Sequence, residues 1–137
     1  MDYRSWALLS AVFAGVTAVL AKKGVENVPS NLALLVRVAF VLVICAAIAW
    51  ASQQTRIGAL TAKNWFFLFL SAAATGASWL CYFRALQLGP VSRVAPVDKL
   101  SFVVAMVLGI VVLGEKVSWN VGLGAGIIVA GVLITLR

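Results

Sequence analysis

The chain has 137 residues, 64% of them hydrophobic and only 11% charged, far from the roughly quarter-charged balance of soluble domains. A mean hydropathy of +1.08 excludes a water-soluble core, and the length admits five or six bilayer crossings of about 20 residues each, with nothing left for a soluble domain. The formal charge of +7 comes from 11 Lys and Arg that stand singly rather than in clusters, which excludes a nucleic-acid patch and makes them topology and headgroup signals.

The first predicted span covers residues 3–21. Asp2 and Arg4 flank it, no Ala-x-Ala site ends it and Lys22-Lys23 follows directly, so it reads as a retained span rather than a cleaved signal. Glu26, Asn27, Pro29 and Ser30 form a short polar turn, with Ser30 or Asn31 as the expected N-cap of the next helix.

The second span, residues 31–51, is apolar except for Arg37, and ends in the polar run Ser52-Gln53-Gln54-Thr55-Arg56. The third, residues 64–86, opens with Trp65-Phe66-Phe67 at headgroup level and closes at Gly89-Pro90. Ser71, Thr75 and Ser78, with Ala72 and Gly76, follow helical spacing along it, and either permit close helix approach or line a polar path. Trp79 and Tyr82 lie deeper, where a substrate would pass. Trp6, Trp50, Trp65 and Trp119 fall near span ends and read as interfacial anchors.

The fourth span, residues 91–113, is expected as one helix kinked at Pro96, which lacks an N–H and so frees the Ser92 carbonyl. Broken helices often line transporter cavities, and a purely structural kink is the alternative. The fifth span, residues 117–136, is joined to it by Leu113-Gly114-Glu115-Lys116, which makes the two antiparallel neighbours. Gly122, Gly126 and Ala130 form a packing seam on it, within the subunit or between subunits, and Arg137 ends it. Cys45 and Cys81 sit in apolar stretches outside any CxxC or metal-type spacing and read as free thiols.

Arg37 and Asp98 lie at depths of about 9 and 10 Å along their helices, measured from the same membrane face, so an ion pair between them is geometrically possible. Intramembrane charges are costly unless paired or hydrated, and mark pathways or static structural pairs. Lys99, about 100° round the helix from Asp98, is expected to point away from it, toward headgroups or a second subunit. No catalytic constellation is visible: the chain has no His, its acids are Asp2, Glu26, Asp98 and Glu115, and no Gly-rich phosphate loop follows a strand, so neither an enzyme nor a metal or cofactor site is expected.

With Arg37 and Lys99 set aside, Arg4, Arg56, Lys63 and Lys116 fall on the face bearing the N-terminus, and Lys22, Lys23, Arg84, Arg93 and Arg137 on the other. So even a balance leaves orientation weakly determined and opens the way to dual topology, with two copies forming an antiparallel homodimer around a site at the midplane.

Trp6-Ala7-Leu8-Leu9 leading to Lys22-Lys23-Gly24, the early Arg37, Ala95-Pro96, Leu113-Gly114-Glu115 and Ala130-Gly131-Val132-Leu133-Ile134, in this order, resemble an EamA domain of the drug/metabolite transporter superfamily across essentially the whole chain. The resemblance implies an all-α, five-helix membrane unit, half of the ten-helix transporters in which a second unit is inverted. Small multidrug resistance proteins are similar relatives that work as antiparallel dimers through a glutamate in their first helix. Here that helix has no acid between Asp2 and Glu26, which leaves Asp98 as the intramembrane acid for any proton coupling. Glu115 matches the family's Leu-Gly-Glu position and is expected to cap the last helix.

The resulting expectation is a bacterial inner-membrane exporter of small metabolites or amphipathic compounds, a homodimer in the lipid bilayer that works by alternating access. A second reading is a non-transporting subunit or lipid-flippase component packed against a partner protein.

Overall fold

In the computed structural model, which describes residues 2–136, every regular element is helical. α1 spans Tyr3–Gly24, α2 Ser30–Ala51, α3 Ala62–Leu88, α4 Val91–Asp98, α5 Ser101–Leu113 and α6 Trp119–Thr135, with a single 3₁₀ turn at Ile57–Ala59. Only Lys99 and Leu100 separate α4 from α5, and the two together make the fourth of five spans. Arg137, expected to close the last span, lies outside the described residues.

Tyr3–Gly24, Ser30–Ala51, Ala62–Leu88 and Val91–Leu113 are long and apolar enough to cross a membrane, and α6 is a shorter apolar helix of 17 residues. At about 1.5 Å per residue α6 covers about 26 Å, slightly less than the hydrocarbon thickness of about 30 Å. Leucine, valine, isoleucine and phenylalanine side chains stand exposed along α1, α2, α3, α5 and α6, as expected where lipid replaces water.

The helix ends explain why the spans stop where they do. Asp2 caps α1: its Oδ1 accepts from the Ser5 backbone N–H and from the Ser5 hydroxyl, each at 3.0 Å. Lys22 and Lys23 occupy the last turn of α1, where cations complement the helix dipole. α2 begins at Ser30 itself, so neither Ser30 nor Asn31 is the N-cap. Pro29, at φ −56° and ψ 131°, holds that position, and its carbonyl closes the first turn with the Ala33 N–H at 3.0 Å. The rigid proline ring fixes the extended approach that a side-chain cap would otherwise select.

α3 starts two residues earlier than expected because Thr61 caps it: the Asn64 N–H donates to Thr61 Oγ1 at 3.3 Å, and that hydroxyl donates to Asn64 Oδ1 at 2.9 Å. At the far end of α5, Gly114 takes φ +67° and the Glu115 N–H reaches back to the Gly109 carbonyl at 3.1 Å, a Schellman-type stop that only glycine enters without strain.

The fourth span breaks rather than merely kinks. From Lys99 to Val103 the backbone tightens into i→i−3 bonds: Lys99 to Pro96, Leu100 to Val97, Phe102 to Lys99 and Val103 to Leu100. Pro96 removes an i→i−4 bond just upstream, and the chain answers with a narrower turn.

The chain divides into two compact units, one of Leu20–Leu88 and the other of the residues up to Val19 and from Gly89 onward. In the first, α2 packs on α3, and Ala21, Val25, Leu34, Phe83 and Leu86 are buried. In the second, α4 packs on α6, and Ala18, Ala125 and Val132 are buried.

Candidate functional site

Ser30, Leu34 and Arg37 recur at i, i+4 and i+7 on α2, which puts them on one face; the first two are buried and Arg37 is half-buried. On α3, Trp79 and Phe83 are one turn apart and share a face in the same way. The two faces meet at the arginine. Arg37 Cζ lies 4.5 Å from the Trp79 ring centroid and 5.6 Å from that of Phe83, with Phe83 only 3% exposed and Trp79 half-exposed.

Seven residues separate Ser30 from Arg37, which sets the guanidinium about 10 Å along the helix from its start. A charge at the bilayer centre costs about 3 kcal/mol or more, whereas a desolvated cation–π contact returns about 2. The rings therefore orient Arg37 without fully stabilising it. Within the unit Leu20–Leu88 no acceptor or carboxylate meets its N–H groups.

Toward the end of α3 the same unit is stapled by polar contacts. Lys22 Nζ donates to the Leu86 carbonyl at 2.6 Å, Gln87 Nε2 donates to the Val28 carbonyl at 3.0 Å, and Arg84 Nη1 donates to Gln87 Oε1 at 2.6 Å. These bonds satisfy a carbonyl in the last turn of α3 and one in the loop before α2, groups that a helix end leaves open. Beside them a polar pocket of about 370 Å³ is lined by Lys22, Val25, Glu26, Asn27 and Gln87, with Glu26 paired to Lys23 at 3.5 Å.

The hydroxyls of α3 divide. Thr75 Oγ1 donates back to the Ser71 carbonyl at 2.9 Å, which leaves its oxygen only as an acceptor, while Ser71 and Ser78 are exposed. Tyr82 is half-buried, about one turn from Trp79.

In the other unit, Asp98 Oδ2 lies 3.5 Å from Lys99 Nζ, so Lys99 does not point away from it as the helical step predicts. Asp98 is the last residue of α4, and within the tightened turn the four-carbon lysine stem folds back onto its neighbour. Pro96 and Asp98 are half-buried. Glu115 is likewise not a cap of α6, whose N-cap position holds Ser118; its Oε2 lies where a Cβ on Gly109 would come within 2.9 Å, folded over the end of α5. Gly122, Gly126 and Ala130 are exposed, whereas the buried residues of α6 are Ala125 and Val132. The intramolecular packing of α6 thus uses a different face from the small-residue line.

The model of the EamA-like transporter family matches residues 4–137. The chain belongs to that family. A relative in Sinorhizobium sp named "Uncharacterized transporter in cobO 3'region" is 48% identical over 134 residues, 97% of this chain and 95% of its own. No solved structure matches. Its apolar helices and its family make this EamA-like chain a multi-pass membrane protein of the drug/metabolite transporter type.

Sequence reasoning identified Arg37 and Trp79 separately and missed that they touch. It also missed Phe83, Lys22 and Gln87. Phe83 was signalled by its one-turn spacing from Trp79; the partners of Lys22 and Gln87 are backbone carbonyls, which side-chain patterns do not reveal.

Proposed function

We propose that this EamA-like chain exports small metabolites or amphipathic compounds across a bacterial inner membrane, as a homodimer that alternates access around a path along α2 and α3. The observation that carries the reading is Arg37, a charge inside an apolar span, set beside Trp79 and Phe83 with its N–H groups unmet within the unit Leu20–Leu88. A purely structural arginine would be expected to have its donors satisfied by the protein.

Other features support the finer parts. The break at Lys99 and Leu100 gives the fourth span a natural hinge. The exposed line of Gly122, Gly126 and Ala130 offers close helix approach to a second copy, and balanced flanking charges favour an antiparallel pair. Asp98 is the intramembrane carboxylate available for proton coupling, and Ser71, Thr75, Ser78 and Tyr82 are path-lining candidates.

The test is counterflow of labelled solutes into proteoliposomes holding only the purified chain, paired with mass measurement in mild detergent. Solute accumulation by a species of twice the chain mass supports the proposal. A monomer that moves no solute until a partner protein is added contradicts it.

A further inference from the structure

We infer that the solute held beside Trp79 is an anion, a carboxylate or phosphate attached to an apolar body, and that Arg37 is the residue that selects it. This rests on the transporter reading above and names the class of its substrate.

The guanidinium carbon of Arg37 lies 4.5 Å from the Trp79 ring centroid, and its planar fork carries five N–H donors, more than ring contacts can engage, which suits a carboxylate or phosphate received through two parallel bonds. In its own unit, Leu20–Leu88, the one acid is Glu26, which pairs with Lys23. That unit holds no other carboxylate for Arg37, so an anion from outside the unit answers it.

The surroundings define the rest of the ligand. Phe83 is buried and serves as backing, whereas Trp79, one turn earlier on α3, is half-exposed, and an apolar or aromatic body can lie against it. A neutral solute would leave the arginine charge unanswered in the bilayer, and a cation would repel it.

The test follows thermal melting of the full chain in uncharged detergent with phenylacetate, phenyl phosphate, neutral phenylacetamide or phosphatidylglycerol. Phenylacetate and phenyl phosphate are expected to raise the midpoint by several degrees and phenylacetamide to leave it unchanged. Arg37→Gln should abolish the shift, and Arg37→Lys, which keeps the charge but not the fork, should weaken binding about tenfold. Trp79→Leu provides a second variant should Arg37→Gln fail to fold, and should weaken both probes together. Equal stabilisation by phenylacetamide, or an undiminished shift in Arg37→Gln, overturns the inference. So does a response to phosphatidylglycerol alone, which would make the anion a lipid headgroup. Anion binding at Arg37 without solute movement in proteoliposomes refutes the transport reading and leaves the site; movement of only neutral or cationic solutes, unchanged by Arg37→Gln, does the reverse.

Discussion

The guanidinium of Arg37 lies over the indole of Trp79 at 4.5 Å, one residue from each of the two packed helices α2 and α3. A cation–π contact shielded from water is worth about 2 kcal/mol and an exposed one about 0.5–1, and this half-exposed ring falls between them. Trp79→Leu should therefore lower stability by about 1–2 kcal/mol and release Arg37 from its fixed orientation. Tryptophan-79 replacement is checked by thermal melting together with solute counterflow, where transport is expected to fall more than stability alone accounts for.

Lys22 joins α1 to the last turn of α3 through the Leu86 carbonyl at 2.6 Å. A hydrogen bond from a charged donor contributes about 1.5–3 kcal/mol, so Lys22→Met should destabilise by about that amount. The damage should be local. Hydrogen exchange should speed up in residues 22–30 and 84–88 and stay unchanged in α6.

Gly122 and Gly126 permit two opposed expectations. A Cβ at either meets nothing within 4 Å, so alanine there costs no space within the chain and removes about 0.5–1 kcal/mol of glycine's helix penalty. A tight interface between copies would instead lose its close approach. Gly122→Leu with Gly126→Leu is expected to leave monomer melting intact and to shift the detergent-solubilised protein from dimer to monomer by mass measurement.

Gly114 and Gly109 should separate strain from crowding. At φ +67° an alanine at 114 is strained by about 1–2 kcal/mol. At 109 the obstacle is only Glu115 Oε2 at 2.9 Å, the mobile end of a side chain that can swing aside. Melting temperatures should fall clearly for Gly114→Ala and little for Gly109→Ala.

The spans were legible in the sequence because bilayer thickness imposes a length and a composition that no tertiary contact needs to refine. Their ends were less so. Pro29 displaced the expected serine cap, and Thr61 with Asn64 drew α3 upstream through a reciprocal side-chain cap. At the site, depth singled out Arg37 and Asp98, yet the local partners were hidden. Within its own unit Arg37 meets the rings of Trp79 and Phe83, and Lys99 folds onto Asp98 because the turn after Pro96 tightens, a local geometry that ideal helical spacing cannot anticipate.

Asp2 carries a pH dependence of defined sign. The Ser5 backbone N–H and hydroxyl hold its carboxyl below the ordinary carboxylate pKa. A depressed folded-state pKa means that the cap's stabilisation is complete above the ordinary value and is lost as pH falls through the depressed one. Fraying of the first turn of α1 on acidification, followed through the Ser5 amide by NMR, should vanish in Asp2→Ser, a cap that does not titrate.

The central claim is that this chain by itself moves solutes along a path controlled by Arg37. Counterflow in proteoliposomes, run with a panel of amphipathic carboxylates, phosphates, amines and neutral compounds, tests it directly. The account predicts accumulation of at least one anionic solute by the unmodified chain, reduced about tenfold or more, or about 1.4 kcal/mol, by Arg37→Gln in protein that still melts cooperatively. Accumulation that is identical in Arg37→Gln, or no accumulation of any solute by the unmodified chain, would contradict it.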